Sequence, residues 1–108
     1  MGTHEGEVRS IIASTVGGVM TKDVGAITGD LEVATCPTKS EGLQVAVRYA
    51  GAYEWYTVEG GPIELGKAGG LTPLVPYEFH ERIASHLTAP GRIVDGNEEP
   101  VSLRGFSL

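Results

Sequence analysis

The sequence contains one near-match to a phosphate-binding loop. Gly61 to Ala68, GPIELGKA, follows the pattern G-x-x-x-x-G-K-[ST], whose final hydroxyl reaches a Mg²⁺ ion. Ala68 takes the place of that hydroxyl, and Gly69, Gly70 and Pro73 follow where a helix should begin. We therefore interpret the segment as a glycine-rich surface loop.

A second stretch begins like a zinc motif. His80 and Glu81 match the start of H-E-x-x-H, but the position of the second histidine is Ala84. His86 lies about 240° from His80 around a helix that turns about 100° per residue, so the two imidazoles cannot share a metal from one helix face. No metal site is expected. His80 is interpreted as solvated, and His86 as flanking an apolar stripe.

Cys36 is the one cysteine of the chain. A nucleophilic cysteine needs a nearby imidazole or cation to lower its pKa, and Lys39 is the only neighbouring cation. A structural thiol is the favoured interpretation. A single cysteine rules out an internal disulfide and favours an intracellular, cytoplasmic setting. With no G-x-S-x-G elbow either, we expect no catalytic residue and no cofactor.

The remaining chemistry-bearing residues lie in Leu43 to Glu59, LQVAVRYAGAYEWYTVE, which holds the one Trp and three of the four Tyr. Apolar and polar residues alternate along it with the two-residue period of a strand, which predicts a β-hairpin over residues 43–59. A two-residue turn at Gly51-Ala52, with Gly in the first central position, fits type II′. The resulting register pairs Val47 with Tyr56.

This register gives the hairpin two chemically different faces. The apolar face carries Leu43, Val45, Val47, Tyr56 and Val58. The other face places Arg48 where it can lie over the Trp55 ring, a contact that contributes on the order of 0.5–1 kcal/mol when exposed. Trp, Tyr and Arg dominate binding hot spots. The predicted partner-binding residues are Arg48, Tyr53, Trp55 and Glu59. One alternative is that a helix covers this face and Trp55 is an ordinary core aromatic. Another is that the N-terminal segment covers one face and the C-terminal helix covers the other.

The elements around the hairpin indicate an α+β fold, in which an antiparallel sheet carries a helix across one face. Phe79, Ile83 and Leu87 recur every four residues and predict a helix from Tyr77 to Thr88. Shorter strands are predicted at 24–27, 31–35, 63–65 and 101–104, with Pro37 ending the second of them. A turn is predicted at 95–97.

Residues 1–6 are interpreted as a loose terminus, and the next segment fits two structures. The apolar positions Val8, Ile11, Ile12, Val16 and Val19 have helical spacing, and we favour a short N-terminal helix that stops at Gly17-Gly18. Their β-branched side chains fit a strand nearly as well. A strand would give a larger sheet with one helix.

Size and charge limit the function classes. The 108 residues are expected to form one domain, 1–108, and they carry 8 basic against 14 acidic residues, a net charge of −6. The basic residues are scattered, which argues against nucleic acid binding. No apolar run approaches the ~20 residues that span a bilayer. The acidic start lacks the features of a signal peptide.

These observations favour binding over catalysis. We expect a small acidic protein that recognises a macromolecular partner, such as a basic protein. Inhibitors of the immunity type present carboxylates and aromatics to a basic active site in this way. Self-association, as in a homodimer, through the hairpin edge or the Trp55 side fits equally well. The competing class is a small enzyme or small-molecule binder with a pocket between sheet and helix. That pocket would be lined by Tyr49, Glu54, Tyr56 and His80.

Overall fold

An antiparallel sheet and a helix in the C-terminal half make up the fold, which confirms the predicted α+β class. The structure is a computed structural model that describes residues 7–38, 42–64, 76–104 and 106. The elements of the described residues are, in chain order, β1 (Val8–Ala13), β2 (Val19–Thr21), β3 (Gly25–Ile27), β4 (Asp30–Pro37), β5 (Gly42–Tyr49), β6 (Tyr56–Thr57), β7 (Ile63–Glu64), α1 (Pro76–Thr88), β8 (Ile93–Val94) and β9 (Asn97–Glu98).

The main sheet has the strand order β1-β4-β5-β6, and β7 also pairs with β5. All of its pairings are antiparallel. Two further sheets of two strands each are formed by β2 with β3 and by β8 with β9. The central pair is β4 with β5, in which Val33 lies opposite Val47 and Ala34 opposite Ala46.

The main sheet has one buried face, and α1 packs on it. The aliphatic residues of β4 and β5 that point to this face are 0–1% exposed, and so are the helix residues Ile83 and Leu87. Pro76 stands in the first turn, where the missing N–H is tolerated, and Pro90 follows the helix end. The buried strand residues are Leu31, Val33, Leu43, Val45 and Val47.

The N-terminal segment corrects one sequence prediction. Val8–Ala13 is not a helix but strand β1, which pairs with β4 so that Ile12 lies opposite Leu31. The strand is favoured because pairing with β4 directs Ile12, 8% exposed, into the core under α1. Pairing with β4 therefore decides the structure of this segment, since its local pattern fits both the helical and the strand period.

The hairpin register is as predicted, but its turn is one residue earlier. Val47 pairs with Tyr56, and the Val58 N–H donates to the Val45 carbonyl at 3.1 Å. The turn is closed by the Ala52 N–H, which donates to the Tyr49 carbonyl at 2.9 Å. Gly51 thus occupies the second central position, and its φ of 86° identifies type II rather than type II′.

Backbone hydrogen bonds join β2 and the C-terminal segment to the chain that follows β6. The Glu59 N–H donates to the Met20 carbonyl at 2.9 Å, and the Leu103 N–H donates to the Glu59 carbonyl at 2.8 Å. The predicted strand at 101–104 is reduced to a single parallel bridge between Val19 and Val101. The predicted turn at 95–97 joins β8 to β9.

Several predictions fall on residues outside the described part of the chain. These are the loose terminus 1–6, Leu65 of the predicted strand 63–65, and residues 65–68 of the phosphate-loop match at 61–68. Within the described part, no helix has the length and apolar character to cross a membrane.

The packing of α1 predicts a large loss of stability on truncation of Ile83, which is 0% exposed. Ile83→Ala should lower the free energy of unfolding by about 2–5 kcal/mol, because it removes buried methyl groups and leaves a cavity. Tyr77→Ala, at a helix residue that is 58% exposed, should change it by no more than about 0.5 kcal/mol. Urea titrations followed by circular dichroism would measure both. Equal losses would contradict the helix orientation.

Candidate functional site

Trp55 lies against two guanidinium groups on the sheet face opposite α1. The Arg48 guanidinium carbon is 4.4 Å from the centroid of the indole, and that of Arg9 is 5.3 Å from it. Both distances are within the ~6 Å range of a cation–π contact. The predicted pairing of Arg48 with Trp55, on the side away from Val45 and Val47, is therefore present.

Each of these arginines is also held by a carboxylate. Arg48 Nε donates to Glu32 Oε1 at 2.7 Å across the β4–β5 pair, and both side chains are about four-fifths buried, at 21% and 18% exposure. Arg9 Nε donates to Glu7 Oε2 at 3.0 Å. The two ion pairs balance the charge around the indole and orient the guanidinium groups.

A cavity of about 310 Å³ opens beside the indole. Its floor contains Ala34 and Ala46, which lie directly opposite each other in the β4–β5 pair, so two short side chains leave a depression in the sheet surface. We call this side of the sheet the Trp55 face. It comprises Glu7, Arg9, Glu32, Ala34, Cys36, Gln44, Ala46, Arg48 and Trp55.

The structure places the other two predicted contact residues differently. Tyr53 is 94% exposed in the connection between β5 and β6, next to the Trp55 face in sequence. Glu59 lies past the end of β6, where the chain leaves the hairpin, and its carboxylate accepts from Arg104 Nη2 at 3.2 Å. The alternation of the strand no longer applies there, so Glu59 is not brought to the indole. Its binding role stays a prediction.

The sequence reasoning missed Arg9 and Glu7. Both lie at or beside β1, where the sequence pattern favours a helix, and a helical period does not align Arg9 with Arg48. The alternation of Val8, Ser10 and Ile12 with Arg9 and Ile11 was the available signal. As a strand, this pattern directs Arg9 to the same sheet face as Trp55.

Cys36 is half-buried at the rim of the cavity. Burial raises the pKa of its thiol, and the Glu7 carboxylate raises it further. Since the thiolate is the reactive form, both effects work against nucleophilic chemistry at neutral pH. The geometry favours the structural role expected for this residue.

His80 is fully buried between the helix and the sheet, so the expectation that it is solvated is wrong. Its Nε2 lies 2.6 Å from Ser10 Oγ on β1, and its Nδ1 lies 3.0 Å from Thr35 Oγ1 on β4. A serine hydroxyl that contacts an imidazole is also the arrangement of a catalytic nucleophile and its general base. Here the second nitrogen meets a neutral hydroxyl and the ring has no accessible surface. The two hydroxyls satisfy a buried imidazole.

The residues proposed to line a pocket between sheet and helix differ in their access to solvent. His80 is 0% exposed and cannot line an accessible pocket there, whereas Tyr49 is 43% exposed. The Tyr56 hydroxyl, at the start of β6, lies 3.4 Å from the Glu54 carboxylate in the β5–β6 connection. A cavity that the described residues form lies on the opposite side of the sheet, at Trp55.

His86 flanks the apolar stripe of α1, as expected. Its Nε2 lies 2.7 Å from the Ser102 carbonyl, and its ring centroid is 4.9 Å from that of Phe106. Among the described residues, no group of three or more His, Cys, Asp or Glu side chains could hold a metal ion.

Comparisons with protein-family models, with curated proteins and with solved structures find no match to this chain.

The environment of His80 predicts a dependence of stability on pH. Burial lowers the pKa of His80, an effect that the nearby Glu81 carboxylate opposes. In the unfolded chain the same imidazole takes up a proton near pH 6.5. The unfolded state therefore binds more protons below that pH, and stability should fall as the pH drops below about 6.5, by at most about 1.4 kcal/mol per pH unit.

His80→Gln should flatten this part of the profile, because glutamine carries no titrating group between the two hydroxyls. His86→Gln is the matched control on the same helix. It should leave unchanged the pH dependence of stability that His80 causes. Urea titrations at several pH values between 7 and 5.5 would give the slopes. A wild-type profile that is flat in this range would contradict a buried neutral His80.

Proposed function

We propose that this chain is an interaction protein that recognises another protein through its Trp55 face. The observation that carries the proposal is the indole beneath two guanidinium groups, next to a cavity floored by alanines. Trp and Arg are enriched among the few residues that supply most of the binding energy at interfaces. Here they lie together on the face of the main sheet that α1 leaves open.

Contacts between neighbouring side chains hold the arrangement in place, which favours binding. The Glu32–Arg48 ion pair links neighbouring strands, and Arg48 in turn lies over the ring of Trp55. Side chains that are ordered before association lose less conformational entropy when a partner arrives. The same residues on a mobile loop would give a weaker site.

The cavity suggests what the partner inserts. Its volume of about 310 Å³ is at the lower end of ligand pockets, and its floor of Ala34 and Ala46 is apolar. One large apolar side chain of a partner would fill it against the indole, with Arg9 and Gln44 at the rim as hydrogen-bond donors. The net charge of −6 favours a basic protein as partner, because it speeds the encounter of opposite charges.

Two substitutions test this proposal from opposite directions. Trp55→Ala removes one wall of the cavity, and Ala46→Leu fills its floor. With a partner protein captured by the wild-type chain and then purified, each variant should raise Kd by about 30-fold, the equivalent of about 2 kcal/mol. Isothermal titration calorimetry would measure Kd, and circular dichroism would show that each variant is folded.

Tyr77→Ala is the matched control, because Tyr77 is an exposed aromatic on α1, on the other side of the sheet. It should leave Kd unchanged. A partner that binds the Trp55→Ala and Ala46→Leu variants as tightly as the wild type would overturn the proposal. A small molecule that co-purifies with the wild type in native mass spectra, and is lost on Ala46→Leu, would favour the small-molecule class instead.

A further inference from the structure

Strand β1 forms one edge of the main sheet. The order of that sheet is β1-β4-β5-β6, and β1 pairs with β4 on one side only. Among the described residues, none pairs with its other side. An edge strand exposes a row of backbone donors and acceptors, and another strand can satisfy them.

The register shows which residues face the open side. The Ser14 N–H donates to the Gly29 carbonyl at 3.0 Å, so residues 14 and 29 form a hydrogen-bonded pair. In an antiparallel ladder such pairs alternate with pairs whose backbone groups point outward. Residues 8, 10 and 12 therefore bond to β4, and the backbone groups of Arg9, Ile11 and Ala13 point away from it.

The other side of β4 agrees with this assignment. The Ala50 N–H donates to the Asp30 carbonyl at 3.0 Å, so the even-numbered residues of β4 bond towards β5. The backbone groups of the odd-numbered residues of β4 then bond towards β1, where Leu31 lies opposite Ile12 and Val33 opposite Ser10. Both observations place the free N–H and C=O groups of β1 at residues 9, 11 and 13.

This edge lacks the features that protect edge strands. Its sequence, VRSIIA, has no proline and no lysine, and its six residues pair with β4 without a bulge. Ile11, at its centre, is 60% exposed. The one charged side chain, Arg9, is turned to Trp55 and Glu7 rather than across the edge.

We propose that β1 of a second copy of this chain adds to this edge, antiparallel, to form a two-fold dimer with a continuous sheet. The edge of β1 is self-complementary when the two-fold axis passes beside Ile11. Ile11 then lies opposite Ile11 of the other copy, and Arg9 lies opposite Ala13. No like charges face each other across the pair. Each outward N–H of residues 9, 11 and 13 meets an outward carbonyl, and the two copies make six such bonds.

The dimer should also respond to salt in a defined direction. Each copy carries a net charge of −6, so the two copies repel each other at low ionic strength. Added salt screens this repulsion and should tighten the dimer. An association driven by opposite charges would weaken instead. The proposal does not rest on the Trp55 face, since it concerns the backbone of β1.

The experiment is sedimentation velocity of the full chain from low micromolar to near-millimolar concentration. The wild type should shift from monomer to dimer. Ile11→Pro removes an outward N–H, at an edge position where proline is tolerated, and should give a folded monomer. Ile11→Lys keeps the backbone donor but places like charges opposite each other. It should weaken the dimer at least about tenfold, which corresponds to about 1.4 kcal/mol.

Ile93→Lys is the matched control. Ile93 is 63% exposed, close to the 60% of Ile11, but it lies in the separate β8–β9 pair. The dimer should survive this change. Hydrogen exchange adds a local test, because the amides of Arg9, Ile11 and Ala13 should become protected as concentration rises, while that of Ile12 is protected throughout.

Three results would overturn the proposal. The first is a wild type that stays monomeric at every concentration and salt level. The second is an association that Ile93→Lys weakens as much as Ile11→Lys does. The third is a dimer whose Ile11 amide exchanges as fast as in the monomer. Trp55→Ala should leave the dimer intact, so failure of this proposal is distinguishable from failure of the Trp55 interface.

Discussion

The pleat of β4 and β5 is the constraint on which the rest of the structure depends. Val33 and Val47 lie opposite each other and are both fully buried in the core, on the sheet face against which α1 packs. Because neighbouring residues in a strand point to opposite faces, Ala34 and Ala46 must then point away from the helix. The floor of the cavity at Trp55 is thus fixed by the same pairing that forms the core. A slip of one residue in this pairing would exchange the two faces of the sheet. It would remove both the buried core and the floor of the cavity.

His80 gives the core a directional contact. Apolar packing of α1 on the sheet is largely non-directional, and a helix could slide along such a surface at low cost. The His80 imidazole instead meets one hydroxyl on β1, from Ser10, and one on β4, from Thr35. Any shift of the helix would leave these buried groups without partners, which costs about 1–3 kcal/mol for each. This contact therefore sets the position of α1 across the strands.

The comparison of sequence with structure shows which features local patterns can specify. The register of Val47 with Tyr56 was derived from a two-residue turn at Gly51-Ala52, and it is present although the turn is one residue earlier. Alternation alone distinguishes the two faces of the hairpin. It could not place the turn, because a glycine with positive φ suits the first central position of one turn type and the second of another. The burial of His80 was also missed. Its partners Ser10 and Thr35 lie 70 and 45 residues away in the chain, so no local pattern reports them.

Arg9 connects the edge of the sheet with the Trp55 face. Its backbone groups point out of the open side of β1, whereas its guanidinium lies over the indole. A strand that pairs with β1 would therefore hold the backbone of a residue that helps to form the cavity wall. In an antiparallel pair, residues opposite each other point to the same side of the sheet, so the two-fold axis would run perpendicular to it. Both Trp55 faces would then lie on one surface, with both helices behind it. A partner with two matching sites would engage the second at high effective concentration, which raises avidity without any new contact.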